Sequence, residues 1–155
     1  MIDSPPPPAT RLVLDTNIVM DMLHFGDPRT QPILASLAQG RACCFTDADC
    51  LAELERVTGY PEFRLDAAAR AALLARYLAL ATRCDAPPDE NERDYGLPRC
   101  RDTDDQKFLT LAARCSADLL VTRDKLLLRL ARHRHRPPPY AILTAEAARP
   151  RLEAP

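Results

Sequence analysis

The stretch that most constrains the fold runs from residue 101 to residue 128 and alternates helical and extended patterns. Between residues 105 and 116, apolar side chains repeat at offsets of three and four, which predicts an amphipathic helix. Residues 119–121 then form a short apolar run typical of a buried parallel strand. Asp124 follows that run and is succeeded by another helical pattern. An acidic residue therefore sits at the carboxyl end of a strand, which is where open α/β sheets bind ligands.

The same arrangement occurs near the start of the chain. Residues 11–14 are a β-prone run, Asp15 ends it, and residues 18–25 have a helical pattern. Asp15 alone has a plain explanation as a helix cap, because aspartate readily accepts hydrogen bonds from free backbone N–H groups. A second acidic strand end in one chain weakens that explanation.

The remaining patterns continue the alternation of strands and helices. They predict strands at 42–46 and 140–143, helices at 31–39, 50–58, 67–82 and 144–149, and a polar loop at 85–98. We therefore expect an α/β protein, with a three-layer α/β/α domain around a mainly parallel sheet. Asp47 or Asp49 is expected to cap the helix at 50–58, and Asp66 the helix at 67–82. The residues of helix 67–82 expected to face inward are Leu73, Leu74, Tyr77, Leu78 and Ala81.

Length and composition indicate one globular domain. The chain has 155 residues, of which 46% are hydrophobic, enough for a substantial core. Residues 11–150 are expected to form the domain and residues 1–10, which include Pro5 to Pro8, a disordered tail. No apolar run approaches the roughly 20 residues of a membrane span, and residues 1–10 lack a secretion-signal pattern. We therefore expect a cytoplasmic protein with no membrane partner.

Charge and cysteine content narrow the function further. The formal net charge is −1, which argues against non-specific binding of nucleic acid through bulk charge, but not against a local basic surface. Residues 132–136 form a basic run, which suits either a phosphate contact or a solvated loop. The cysteines lack the C-x-x-C spacing of a zinc site, so we expect reduced, largely buried thiols. They are Cys43, Cys44, Cys50, Cys84, Cys100 and Cys115.

Four carboxylates are expected to meet at one end of the sheet. Asp15 and Asp124 end two strands, Asp105 begins a helix, and a glutamate comes from the helix after the second strand. Glu53 and Glu55 border that helix's apolar stripe on opposite sides, and periodicity does not distinguish them. One carboxylate pair at ~4 Å costs on the order of 4 kcal/mol at an effective dielectric of 20, so the cluster predicts a bound cation. An all-oxygen ligand set suits Mg²⁺ or Mn²⁺, which support phosphodiester cleavage.

Four segments, taken in order, resemble the successive motifs of PIN-domain proteins, and among these the VapC-like ribonuclease toxins of toxin–antitoxin systems. The segments are RLVLDTNIVMDML, LAELERV, RDTDDQKFLTLA and LLVTRDKLLL. The resemblance extends from residue 11 to about residue 149. It implies a PIN-like fold, a Mg²⁺- or Mn²⁺-dependent ribonuclease activity on RNA, a small antitoxin protein as partner, and frequent formation of homodimers.

The resemblance also assigns site residues. The acids that it implies for catalysis and metal binding are Asp15, Glu53, Asp105 and Asp124, so it selects Glu53 over Glu55. The small polar residues that it implies as supporting the site are Thr16, Asn17 and Thr122. Asp102 matches an additional acid that binds metal through water, whereas Asp104 receives no role.

Two alternatives to a ribonuclease remain at this point. An aspartyl-phosphate phosphatase would use Asp15 as its nucleophile, but such enzymes need a second aspartate two positions later, where this chain has Asn17. A catalytically silent PIN fold would bind RNA or a protein, and its binding would be indifferent to Mg²⁺ and to loss of the acids.

Overall fold

A computed structural model describes residues 4–5 and 7–153 of the chain. Five strands lie in this part of the chain: β1 (Thr10–Leu14), β2 (Ala42–Thr46), β3 (Ala81–Arg83), β4 (Leu119–Val121) and β5 (Ala141–Leu143). The α-helices of the same residues are α1 (Thr16–Leu23), α2 (Gln31–Ala38), α3 (Ala48–Thr58), α4 (Ala67–Leu80), α5 (Gln106–Arg114), α6 (Lys125–Leu130) and α7 (Ala145–Glu153).

The strands form one sheet in the order β3-β2-β1-β4-β5. All four pairings are parallel, so the prediction of a mainly parallel α/β sheet is confirmed. The chain builds the sheet outward from β1 to β3 and then crosses to the other side of β1, where β4 and β5 are added. The direction of winding therefore reverses between β1 and β4, and this switch point is where open α/β sheets form their binding crevice.

Successive residues of a strand point to opposite faces of the sheet, and helices cover both faces. Leu12 and Leu14 of β1 belong to a buried cluster with residues of α1, α2, α4 and α7. Val13 belongs instead to a cluster with residues of α5 and α6. The two clusters lie on opposite faces of the sheet, which makes the three predicted layers.

The structure corrects the prediction for residues 67–82. The helix ends at Leu80, and residues 81–83 form the edge strand β3, which pairs with β2 from Cys44 to Thr46. Three residues are too few to show a strand periodicity, so the pairing partner decides this conformation. Leu78, predicted to face inward, is 47% exposed, whereas Leu73 and Tyr77 carry the buried contacts of α4.

Other boundaries differ by a few residues. The first strand, predicted at 11–14, begins one residue earlier, at Thr10. Met1–Asp3 and Pro6 of the predicted tail lie outside the described residues. The last helix runs on to Glu153. Asp47, and not Asp49, caps α3 by accepting a hydrogen bond from the Cys50 amide at 2.8 Å, and Asp66 caps α4 as predicted.

The cysteines and the helix lengths add two observations. All six thiols are unbridged; Cys44, Cys50, Cys100 and Cys115 are buried, and Cys43 and Cys84 are partly buried. Within residues 4–5 and 7–153, no helix combines the length and apolar character needed to span a bilayer.

We predict that shortening a core strand residue is far more costly than shortening the exposed apolar residue of α4. Leu120, at the centre of β4, is fully buried, so Leu120→Ala should lower the free energy of unfolding by about 2–5 kcal/mol. Leu78→Ala should change it by less than about 0.5 kcal/mol. Urea denaturation of both variants measures this, and equal losses would contradict the burial described here.

Candidate active site

Asp15 and Thr122 continue the neighbouring strands β1 and β4 past their carboxyl ends. The Asp15 amide donates to the Val121 carbonyl at 3.0 Å, and the Thr122 amide donates to the Leu143 carbonyl at 2.9 Å. The strand pairing thus extends by one residue into each turn. It brings the two acidic turns, each predicted from a separate segment, to the switch point of the sheet.

A buried hydroxyl connects these two turns. The Thr122 hydroxyl donates to Asp15 Oδ2 at 2.7 Å and accepts a hydrogen bond from the Asp124 amide at 2.9 Å. Thr122 is fully buried, and Asp15 is 4% exposed. The side chain of Thr122 therefore fixes the carboxylate of Asp15 relative to the turn that carries Asp124.

Asp15 does not use its side chain as a helix cap. It stands at the N-cap position of α1, but its carboxylate makes no capping hydrogen bond. Instead Asn17 Nδ2 donates to Asp15 Oδ2 at 3.1 Å, on the same oxygen that Thr122 reaches. Oδ1 of Asp15 has no side-chain donor within the described residues. The capping explanation considered from sequence is therefore wrong for the Asp15 side chain, although Asp124 does cap α6 through the Leu126 amide.

The structure brings Glu53 into the site and leaves Glu55 outside it. Glu53 accepts hydrogen bonds from the Thr16 hydroxyl and, at 2.8 Å, from Lys107 Nζ. Lys107 also donates to the backbone carbonyl of Asp104. Glu55 is exposed on the other side of α3. One ammonium group therefore ties the glutamate of α3 to the turn that precedes α5.

Two acids of the site, Asp15 and Asp105, have raised pKa values. Burial raises the pKa of Asp15 to about 6, and the nearby charge of Glu53 adds to the effect. Burial also raises the pKa of Asp105, and the charge of Asp15 and a hydrogen bond with Asp124 raise it further. Buried carboxylates that repel one another favour the protonated form. The same field favours a bound cation.

Asp102 and Asp104 are positioned differently from the other acids. Both are exposed, and neither lines the cavity described below. The carboxylate of Asp102 accepts a hydrogen bond from the Asp104 amide at 3.0 Å and so caps the short turn Thr103–Asp105. This turn delivers Asp105 to the site, and a water-mediated metal contact by Asp102 stays a prediction.

A cavity of about 410 Å³ contains the acids and opens from the carboxyl edge of the sheet. The predicted site residues that line it are Asp15, Thr16, Asn17, Glu53, Asp105 and Asp124. Thr122 lies beneath it, buried against Asp15. The basic run at 132–136 does not line the cavity; it forms a largely exposed turn in which Arg136 pairs with Asp94 at 3.2 Å.

The residues present fit Mg²⁺ or Mn²⁺. Every candidate ligand is an oxygen, and Oδ1 of Asn17 is buried with no hydrogen-bond partner within the described residues. In that same part of the chain, no three His, Cys, Asp or Glu side chains form a ready-made cage. Mg²⁺ usually binds through one or two carboxylates and retains several waters, so pairs of these acids suffice.

Comparisons with known proteins agree with this architecture. The family model described as the PIN domain matches residues 11–126, and the chain belongs to the PIN domain family. Its structure is similar to a chain of VapBC2 from Rickettsia felis, solved bound to a DNA fragment from their promoter. The TM-score is 0.57 at 19% identity, over 86% of this chain and 97% of that one, which shows a shared fold. No curated protein matches the sequence.

Sequence reasoning missed Lys107 and the aromatic part of the cavity. Only two of the 21 basic residues are lysines, Lys107 and Lys125, and each closely follows a site acid. The rarity of lysine and its position after site acids could therefore have identified Lys107 from the sequence. No comparable signal marked Phe25, Tyr60 and Phe63, because they come from two separated turns that only folding brings together.

We predict that ionisation of Asp15 destabilises the protein in EDTA. Its pKa is about 6 folded against an ordinary value of 3.8, so the folded state binds more protons between these values. Protonated Asp15 contributes on the order of 3 kcal/mol to the free energy of unfolding below pH 4, and this contribution is lost as the pH rises through 6. From pH 4 to pH 7, the unfolding free energy of Asp15→Asn should therefore rise relative to that of the parent.

Thermal or urea unfolding of both proteins at each pH measures this difference. Saturating Mg²⁺ should reduce it, because a bound cation offsets the charge of Asp15. A difference between parent and variant that stays constant from pH 4 to pH 7 would contradict the buried, repelled state of Asp15.

Proposed function

We propose that this chain is a metal-dependent endoribonuclease that hydrolyses RNA phosphodiester bonds. The observation that supports the proposal is the convergence of Asp15, Glu53, Asp105 and Asp124 in one cavity at the switch point of the sheet. Bound Mg²⁺ or Mn²⁺ would supply Lewis acidity, which lowers the pKa of water and offsets charge on the leaving oxygen.

The protein's own residues would hold the ions and set the geometry. Asp15, Asp105 and Asp124 would offer carboxylate oxygens, and Asn17 would offer its buried Oδ1. Thr122 would keep Asp15 aligned through its 2.7 Å hydrogen bond. Alignment of this kind, together with electrostatic stabilisation, is what a protein contributes to such a reaction.

Glu53 requires a rearrangement of its contacts to act as a ligand. It is paired with Lys107 and, at 3.8 Å, with Arg56. Lys107 would keep the charge of Glu53 offset in the free protein and would remain beside the site to interact with phosphate. Thr16, which also donates to Glu53, would hold the carboxylate on the side of Asp15.

We also propose that the protein is the toxin of a toxin–antitoxin pair. Support comes from the family resemblance of its motifs and from the shared fold with a chain of the Rickettsia felis VapBC2 complex. Its partners would then be RNA and a small antitoxin protein, and homodimer formation stays a prediction. A catalytically silent PIN module is the second candidate, which the complete set of acids disfavours.

We predict that RNA cleavage requires both a divalent metal and Asp15. The parent should cleave mixed structured and single-stranded RNA in Mg²⁺ or Mn²⁺ and not in EDTA. Asp15→Asn should reduce the rate by at least about 100-fold, because it removes a charged ligand while preserving the shape of the side chain. Gel-resolved time courses at saturating metal measure both effects.

Glu55→Gln is the matched control, since Glu55 lies on the same helix as Glu53 but faces solvent; its rate should equal that of the parent. Equal cleavage by Asp15→Asn and the parent would refute the assignment. A folded parent that binds RNA equally with and without metal, and cleaves none, would favour the silent module.

We predict that the product of an adjacent small reading frame forms a stable complex with this protein and inhibits cleavage. Co-expression followed by size-exclusion chromatography should yield one co-eluting species, and titration of the purified partner should reduce the cleavage rate in proportion to complex formed. A neighbouring product that neither binds nor inhibits would separate this chain from the toxin class while leaving the nuclease assignment intact.

A further inference from the structure

The cavity that holds the acids also contains three aromatic side chains, Phe25, Tyr60 and Phe63. We call these three residues the aromatic platform. Within the described residues, three large apolar side chains are exposed, and two of them, Phe25 (58%) and Tyr60 (39%), belong to the platform. The third, Leu78, does not line the cavity. The exposed aromatic surface is therefore concentrated beside the acidic site.

The rings of the platform support one another. Tyr60 and Phe63 are stacked, with ring centroids 6.3 Å apart and an interplanar angle of 13°. Phe25 meets Phe63 edge-on at 5.9 Å and 69°. Phe63 is therefore the inner member that fixes the other two rings, while large parts of Phe25 and Tyr60 remain open to solvent.

Short turns of the backbone place the platform next to the site. The Phe25 amide donates to the Met20 carbonyl at 3.0 Å, at the end of the helix that begins beside Asp15. Tyr60 and Phe63 flank the turn that follows α3, where the Phe63 amide donates to the Tyr60 carbonyl at 3.1 Å. The platform thus lies in the turns that follow the two helices that carry Asn17 and Glu53.

Arginines line the same cavity. Arg56 has a side chain that is 61% exposed and, among the described residues, forms a single loose ion pair, 3.8 Å from Glu53. Arg123 is more firmly held, since its Nε and Nη2 donate to the two carboxylate oxygens of Asp21 at 2.7 and 3.2 Å. Arg56 is therefore the cation better placed to pair with an incoming phosphate.

We propose that the aromatic platform is a stacking subsite for unpaired RNA bases that flank the cleaved bond, with Arg56 binding an adjacent phosphate. This inference rests on the proposed ribonuclease function and adds to it a base-binding subsite formed by this chain's own residues. Proteins that hold single strands combine aromatic side chains, on which bases stack, with basic residues that follow the backbone. Bases inside a duplex have both faces covered and are not available to such a platform.

The surroundings of the platform favour RNA over a protein segment. A docked amphipathic helix uses a continuous apolar groove. This cavity has three rings with Met20 and Val57, and beside them four carboxylates and two arginines. An RNA strand matches that mixture. Its flat bases would stack on the rings, its phosphates would pair with arginine, and the phosphate at the metal would lie beside the carboxylates.

The test measures binding separately from cleavage. A 5′-labelled, unstructured RNA dodecamer and its blunt duplex are titrated with the protein in Ca²⁺, and affinity is read by fluorescence anisotropy. Phe25→Ala and Tyr60→Ala should each weaken binding of the single strand by roughly 5- to 100-fold. Tyr60→Phe, which keeps the ring, should restore binding relative to Tyr60→Ala. Leu78→Ala is the matched control for an exposed apolar residue elsewhere and should bind as the parent does.

A second measurement identifies stacking directly. Single abasic positions are scanned along the same RNA, and the position that weakens binding to the parent should have no further effect in Phe25→Ala or Tyr60→Ala. Such non-additivity shows that ring and base contact each other. Unfolding temperatures close to that of the parent would show that both variants remain folded, as the exposure of their side chains predicts.

Several results would overturn the inference. They are unchanged single-strand binding by both alanine variants, equally tight binding of duplex and single strand by the parent, or loss of antitoxin binding with RNA binding intact, which would assign the platform to a protein partner. Failure of the nuclease proposal looks different: a parent that binds the single strand through the platform but does not cleave it in Mg²⁺. If the parent cleaves RNA and the platform variants bind it as tightly as the parent does, only the stacking subsite is refuted.

Discussion

The buried hydroxyl of Thr122 joins two turns that would otherwise repel each other. It donates a hydrogen bond to the carboxylate of Asp15 and accepts one from the amide of Asp124. The two acids come from segments about a hundred residues apart, so their relative position depends on parallel pairing of β1 with β4 in the register that sets Leu14 beside Val121. A shift of one residue in that register would turn the side chains to the opposite face of the sheet, and the site would not form.

The site concentrates negative charge that the fold itself does not fully neutralise. Lys107 pairs with Glu53, and Arg123 pairs with Asp21 just outside the acids. Among the residues that the structure describes, Asp15 and Asp105 have no salt bridge of this kind, and burial raises the pKa of both. Proteins maintain such clusters at functional positions, where the unfavourable field becomes favourable once a cation binds. Under the proposed function, a bound cation would offset the destabilising charge that the free protein carries at this site.

The division of the cavity into an acidic part and an aromatic part follows from the topology. β1 is the central strand, and the helix after it carries Asn17 at its start and leads to Phe25 beyond its end. The helix after β2 repeats this plan with Glu53 and Tyr60. Each helix thus contributes a polar group near the strand end and an aromatic ring about two turns further on. Under the proposed function, the metal site and the substrate contact would consequently be built from the same two elements.

The sequence alone determined the class of fold and most of the acidic site. Short apolar runs that end in Asp15 and Asp124 are local patterns, and alternation of strands with helices requires crossover connections and a parallel sheet. Selection of Glu53 over Glu55 came from the family resemblance, since both flank the apolar stripe of the helix and periodicity treats them alike.

Tertiary structure decided the features that no local pattern encodes. The three residues of β3 are extended because β2 offers them a partner, and Leu78 is exposed because α4 buries only a narrow stripe at the edge of the sheet. The Lys107–Glu53 pair and the platform around Phe25 join segments distant in the chain. Hydrophobic periodicity reports which face of an element is buried, but the identity of the groups that meet across elements depends on how the elements pack.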